Sequence, residues 1–136
     1  MVENLKDLEF AAKDIIHFKD GVPGFEKFKD YILLQEEDVP FIMTMQSVDA
    51  DIPSFVVIDP FAFMDNYAPE LSDVDKEFFG VDADLKFLLM TIIPKDMNET
   101  VVNLKAPIVI DANTNKAKQI IAENRDYPIR YKLFNS

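Results

Sequence analysis

The chain has 136 residues, of which 49% are hydrophobic and 12% aromatic, so it is long enough for one domain with a substantial buried core. Its 14 basic and 25 acidic residues give a net charge of -11, which disfavours direct binding to nucleic acid and leaves two explanations open: attraction of a basic partner, or solubility alone. The lack of cysteine excludes disulfides, thiolate catalysis and cysteine-ligated metal sites.

The first thirteen residues alternate charges with short apolar patches. They contain neither the apolar core of an export signal nor a run long enough to cross a membrane, which needs about 20 residues. We therefore expect no membrane association and a cytoplasmic location.

Short apolar runs bounded by proline and polar residues predict a series of β-strands. Their spacing is typical of a compact antiparallel sheet or barrel in a single domain over residues 1–136. Residues 85–93 are apolar on both faces and indicate a central strand covered on both sides. For residues 116–124, rich in Ala, Lys and Gln, a helix is the alternative. The predicted strands are residues 14–18, 31–35, 41–47, 54–58, 85–93, 100–104, 107–110, 116–122 and 130–134.

Two local patterns predict other structure. Residues 72–80 indicate one short helix, because Ser72 can cap its start and Gly80 suits its exit. Gly21-Val22-Pro23-Gly24 predicts a type II turn, which takes proline and then glycine at its two central positions. The predicted fold is thus mostly β, a small antiparallel β-barrel-like domain with one short helix.

Sites of catalysis or metal binding are not indicated. The single histidine, His17, lies in an apolar strand without a nucleophile pattern, which favours a structural or half-exposed role over a catalytic one. Asp111, Asn113 and Asn115 resemble the opening of a calcium loop, but Lys116 and Ala122 occupy its required Gly and Glu positions. A polar hairpin turn explains them better. We predict no catalytic residue, no metal and no cofactor.

An unusual aromatic loop, residues 59–69, follows the fourth predicted strand. Its aromatic residues either cover one open end of the sheet or form an exposed anchor for a protein partner, with acidic residues as a negative rim. The candidate partner-binding residues in this loop are Asp59, Phe61, Phe63, Asp65 and Tyr67.

Four blocks in register resemble the family of the flagellar assembly factor FliW. Two departures are Lys19, where proline often precedes the turn, and Asp111, where asparagine is common. The blocks are Ile-Ile-His-Phe-Lys-Asp-Gly-Val-Pro-Gly-Phe-Glu (15–26), Gln-Ser (46–47) with Ile-Pro-Ser-Phe-Val-Val-Ile-Asp-Pro (52–60), Thr-Val-Val-Asn-Leu-Lys-Ala-Pro-Ile-Val-Ile-Asp (100–111), and Gln-Ile-Ile (119–121) with Tyr-Pro-Ile-Arg (127–130).

The resemblance implies a barrel-like domain without enzymatic activity that binds two protein partners. One is flagellin, through its C-terminal segment; the other is CsrA, a dimeric translational regulator that represses flagellin synthesis. The domain would remove CsrA from RNA until accumulating flagellin captures the domain. Asn103, in the third block, joins the candidate partner-binding residues. Two alternatives stay open: an acidic enzyme using paired carboxylates, and a structural β domain of a larger assembly.

Overall fold

A computed structural model describes residues 14–35, 41–50, 53–92, 95–123 and 126–133, and these ranges contain nine strands and one α-helix. Short 3-10 turns lie at Pro60–Ala62 and Met97–Glu99. The helix is α1 (Asp73–Phe79). The strands are β1 (Ile16–Phe18), β2 (Asp30–Gln35), β3 (Ile42–Ser47), β4 (Ser54–Ile58), β5 (Leu85–Ile92), β6 (Val101–Val102), β7 (Ile108–Asp111), β8 (Lys116–Gln119) and β9 (Tyr131–Lys132).

Seven of these strands close into a barrel in the order β4-β3-β2-β1-β8-β7-β5, and β5 pairs back to β4. The predicted mostly β, barrel-like fold with one short helix is confirmed. One pairing departs from the antiparallel pattern, because β1 runs parallel to β8. These two strands are joined by most of the chain rather than by a hairpin, so no tight turn forces them to run in opposite directions. β6 and β9 extend the sheet beyond β5.

The barrel interior is filled by alternate residues of the strands, as a period of two requires. On β1, Ile16 and Phe18 are buried while His17 points outward. Phe18 packs edge-to-face on Tyr31, with 5.4 Å between the ring centres. This interior cluster consists of Ile16, Phe18, Val22, Tyr31, Met45, Val57, Leu88, Ile108, Ile110 and Ala117.

The outer face of the barrel carries two further apolar clusters. One joins Ile58, Leu89 and Val102 to the aromatic loop and to the C-terminal segment. The other lies under α1, where Phe79 packs against Val109 and Ile120. In the middle of β5, Leu88 faces inward and Leu89 outward and both are buried, so the predicted double covering of this strand is confirmed there.

Helix α1 starts and ends where its sequence signals predict. The Ser72 hydroxyl accepts a hydrogen bond from the Asp75 backbone N–H at 3.2 Å, and Gly80 leaves the helix with φ 88°. An ion pair of 2.5 Å between Lys118 and the buried Asp75 fastens the helix to β8. The Lys116 ammonium adds a hydrogen bond to the Phe78 carbonyl.

Several strands are shorter than predicted. Residues 116–119 form a strand rather than the alternative helix, but β8 ends before Ile120. β6 is reduced to two residues because the Asn103 side chain folds the following segment into a turn. The predicted last strand is confirmed at Tyr131–Lys132, while its end at residue 134 lies outside the described residues.

The carboxylate of Asp111 organises the turn of the β7–β8 hairpin, and the residue is only 2% exposed. Its oxygens accept hydrogen bonds from the backbone N–H groups of Asn113 and Asp84 and from the Thr114 hydroxyl. The Asn113 bond is the largest cause that lowers the pKa of Asp111 below its ordinary value of 3.8; burial opposes it, and Asp84, Thr114 and Lys116 contribute further lowering. The motif that resembles a calcium loop is thus a hairpin turn.

A lowered carboxyl pKa in the folded state gives stability that is present above the unfolded pKa and is lost as pH falls through the folded one. We expect Asp111→Asn to lower the melting temperature at neutral pH. The difference in melting temperature from the unmodified protein should shrink below about pH 4. Melting curves from neutral to acidic pH measure this gap. Asp82→Asn, an exposed substitution nearby, is the control, and a gap for Asp111→Asn that stays constant into acid would contradict the assignment.

Candidate protein-binding surfaces

The aromatic loop, residues 59–69, folds onto the outer face of the barrel, and Tyr67 is its anchor. The Tyr67 side chain is buried, and its hydroxyl donates a 2.7 Å hydrogen bond to the Leu104 carbonyl. Its ring lies 5.0 Å from that of Tyr127. Burial is the main cause that raises the pKa of Tyr67, with Tyr127 as a further cause, so the phenol stays protonated and remains a donor. This side chain is part of the core.

The other side chains of the aromatic loop divide between packed and exposed positions. Phe63 is half-buried against Phe41, with 4.9 Å between ring centres, and Met64 joins the same cluster. Phe61 is 48% exposed, and Asp65, four residues further along the chain, is exposed as well. The half-buried Asp59 accepts a 2.9 Å hydrogen bond from the Phe61 N–H, which starts the 3-10 turn. Of the predicted aromatic anchor, only Phe61 offers a large exposed surface.

Asn103 lies apart from the exposed side of the aromatic loop. Its backbone N–H bonds to the Met90 carbonyl, which aligns it with the end of β5. Its side-chain oxygen accepts from the N–H groups of Lys105 and Ala106 at 3.1 and 3.0 Å. This geometry gives Asn103 a turn-forming role and sets it in the wall of a groove between β4 and β5.

That groove opens because β4 and β5 diverge after a short paired stretch. They pair only through Val57 with Met90 and Ile58 with Leu89, after which β5 pairs with β6. The space between the strands measures about 490 Å³. We call it the β4–β5 groove; its described lining residues are Ser54, Phe55, Val56, Met90, Thr91, Ile92, Val101, Val102, Asn103, Ile129 and Arg130.

The connection from β4 to β5, residues 59–84, is strongly acidic. It holds eight acidic residues against one lysine, a net charge of -7 out of the chain's -11. Asp75 is buried in its ion pair with Lys118, and Asp59 is half-buried. We call this segment the acidic crossover; its exposed acidic residues are Asp65, Glu70, Asp73, Glu77, Asp82 and Asp84.

The contact described for His17 is an ion pair on the barrel surface. Its ring Nδ1 lies 2.6 Å from a carboxylate oxygen of Asp30 on the barrel surface, with the histidine side chain 55% exposed. Within the described ranges, no three His, Asp or Glu side chains are grouped to hold a metal ion. No helix in the described part of the chain is long and apolar enough to cross a membrane.

Sequence reasoning missed the β4–β5 groove and its rim. Ile92 and Ile129 are 59% and 66% exposed there, although each lies in a stretch whose pattern suggests a strand or its edge. Of the groove residues, only Asn103 was a candidate partner-binding residue, and it came from the third resembling block rather than from a pattern that indicates a groove. Exposure of these residues depends on how far the pairing of β4 with β5 extends, which no local pattern records.

Comparison with known proteins reveals similarity along nearly the whole chain. A family model described as FliW protein matches residues 2–133. The flagellar assembly factor FliW of Caldicellulosiruptor saccharolyticus is 36% identical over 132 residues, covering 96% of this chain and 86% of that protein. The one from Geobacillus kaustophilus is 37% identical over 130 residues, covering 94% and 90%. A crystal structure of the flagellar assembly factor FliW is similar with a TM-score of 0.86 and 32% identity, covering 95% of this chain and 92% of that one.

Proposed function

We propose a function for this chain from the premise that it belongs to the FliW family of flagellar assembly factors. Family membership is the observation that carries the proposal. The relatives named above are assembly factors and not enzymes by name, so the working part of the molecule is a surface that meets other proteins.

Our proposal is that the chain binds flagellin and the translational regulator CsrA in the cytoplasm. Bound to CsrA, it relieves repression of flagellin synthesis; bound to flagellin, it releases CsrA. The chain thereby acts as a chaperone-like sensor in flagellum assembly and translation regulation, without a cofactor, a membrane or direct contact with nucleic acid.

The charge distribution supports this proposal. A regulator that binds RNA presents a positive surface, and the acidic crossover offers a concentrated negative one with a net charge of -7. Opposite charges speed the encounter of the two proteins and fix their orientation. Negative charge docked beside the RNA path also repels phosphates, so displacement of RNA has an electrostatic part that weakens at high salt.

Neutralising part of the acidic crossover tests the electrostatic argument. We expect the triple change Asp73→Asn, Glu77→Gln and Asp82→Asn to weaken CsrA binding about fivefold at low salt, since each exposed charge contributes a few tenths of a kcal/mol. The difference should vanish as ionic strength rises to about 0.5 M, where screening is nearly complete. Fluorescence anisotropy with labelled CsrA across this range measures both effects.

The matched control removes the same number of charges elsewhere. Asp20→Asn, Glu123→Gln and Asp126→Asn alter three exposed acidic residues outside the acidic crossover. This control keeps the net charge equal between the two variants and should retain most of the affinity. Equal weakening by both variants would mean that overall charge, and not the acidic crossover, is responsible.

A capture experiment tests the function as a whole. The purified chain should retain flagellin and CsrA from a lysate of motile cells, and a charge-matched unrelated acidic protein should retain neither. Failure to bind either purified protein at micromolar concentration would refute the proposal. The alternatives make different predictions, since an enzyme would turn over a small molecule and a structural domain would co-purify with a stable assembly.

A further inference from the structure

The β4–β5 groove is a gap in the barrel wall where two neighbouring strands pair over only a short length. Within the described chain, β3 and β4 pair through five residues, whereas β4 and β5 pair through two. Residues 54–56 of β4 therefore pair with β3 alone, and their other edge faces the groove. An exposed strand edge presents backbone N–H and C=O groups that can pair with another extended segment.

The groove wall is mostly apolar, and one of its described residues is charged. Phe55, Met90 and Val101 form part of it, and Ile92 and Ile129 stand more than half exposed at its rim. Isolated exposed apolar residues are ordinary, but two large ones beside an apolar groove mark a place for apolar side chains.

Arg130 gives the groove its electrostatic character. It is the only charged residue among the described groove residues, in a chain whose acidic residues outnumber basic ones by 25 to 14. Arg130 is exposed, and it forms no ion pair with any other described residue. A guanidinium that has no ionic partner in the described ranges, set in a mostly apolar wall, complements a carboxylate.

We propose that the β4–β5 groove binds an extended segment of a captured polypeptide as an added β-strand along residues 54–56, with a carboxylate of that segment on Arg130. This inference rests on the proposed function, in which the chain captures another protein. Main-chain hydrogen bonds to β4 hold the segment, and its alternate apolar side chains contact Phe55, Ile92 and Ile129. The acidic crossover remains free for a basic partner.

Purified flagellin is the probe for this site. We expect Arg130→Glu and Ile129→Glu each to weaken flagellin binding at least about tenfold in calorimetry, because a central apolar contact and a charge pair both carry binding energy. Control variants carry the same chemical changes outside the groove: Lys19→Glu, and Ile121→Glu at a residue that is 51% exposed. Both controls should bind within about twofold of the unmodified chain.

Amide hydrogen exchange supplies a second measurement that does not depend on any variant folding. Bound flagellin should slow exchange at residues 54–56 of the unmodified chain, since an added strand protects backbone N–H groups. Unchanged binding by both groove variants, or unchanged exchange at residues 54–56 under saturating flagellin, would overturn the groove proposal and leave the proposed function standing.

The remaining outcomes are also decisive. If the groove variants lost only CsrA binding, or changed self-association in sedimentation, the groove would bind CsrA or a second copy of the chain instead. Either result would overturn the proposal. If the unmodified chain does not bind flagellin at all, the proposed function fails, and the groove assignment fails with it.

Discussion

Replacing Gly21 by alanine is expected to destabilise the domain by about 3 kcal/mol, combining the strain of a left-handed backbone with a steric clash. Gly21 has φ 73°, and a Cβ placed there would lie 2.6 Å from the Cα and 2.8 Å from the carbonyl oxygen of Glu26. These are backbone atoms, so no side-chain rotation relieves the contact. The substitution therefore has to move the turn.

The turn matters because it holds a core residue in place. The Gly21 N–H bonds to the Phe18 carbonyl at 3.0 Å, and the next residue, Val22, is buried in the barrel interior. Phe25 donates to the Val22 carbonyl at 2.7 Å, which closes the predicted proline–glycine turn. Displacing Gly21 thus withdraws Val22 from the core.

Gly24→Ala is the matched control for this prediction. Gly24 also has a positive φ of 89°, but a Cβ there meets nothing within 4 Å. Gly24→Ala should therefore lower the free energy of unfolding only by the conformational strain, about 1 kcal/mol. Urea denaturation of both variants measures the two losses. An equal loss at the two glycines would show that the Glu26 backbone moves aside freely and that strain alone accounts for the effect.

Tyr67→Ala is expected to destabilise the domain by about 3–5 kcal/mol, the range for removing a large buried aromatic side chain. The change leaves a cavity in the outer cluster and removes the hydrogen bond to the Leu104 carbonyl. Tyr67→Phe keeps the ring and loses only that bond, so we expect a cost of about 1 kcal/mol. Thermal or urea unfolding separates the ring from the hydroxyl.

Phe61→Ala is the control within the same loop. Because Phe61 is 48% exposed, its removal should change stability by less than about 1 kcal/mol. Similar losses for Phe61→Ala and Tyr67→Ala would contradict the division of the aromatic loop into an exposed and a buried part. A variant that replaced Phe61, Phe63 and Tyr67 together would not test partner binding, since loss of Tyr67 alone disturbs the core.

Local patterns predicted the secondary structure well because the physics that forms it is local. Short apolar runs located β1 to β5, and Ser72 and Gly80 bounded α1, since capping bonds join residues a few positions apart. The Asp111 turn was likewise separable from a calcium loop by its neighbours. The parallel pairing of β1 with β8 was missed, because it joins strands far apart in the chain.

Candidate residues were harder to judge than strands. Phe61 and Tyr67 are aromatic, six positions apart and in one loop, yet one is exposed and the other buried. Which ring turns inward depends on the Leu104 carbonyl and the Tyr127 ring, both distant in sequence. The partner-binding role of the candidate residues stays a prediction; they are Asp59, Phe61, Phe63, Asp65, Tyr67 and Asn103.

The amino-acid sequence by itself determined the β-rich character, the helix, the tight turns, the negative charge and the resemblance to one family. Each of these depends on residue type and short-range order. Only the tertiary structure decided that β4 and β5 pair over just two residues, that a groove opens there, and that Arg130 stands in its wall without an ionic partner among the described residues. Barrel closure brings residues together from opposite ends of the chain, so exposure at this seam is a property of packing and not of any segment.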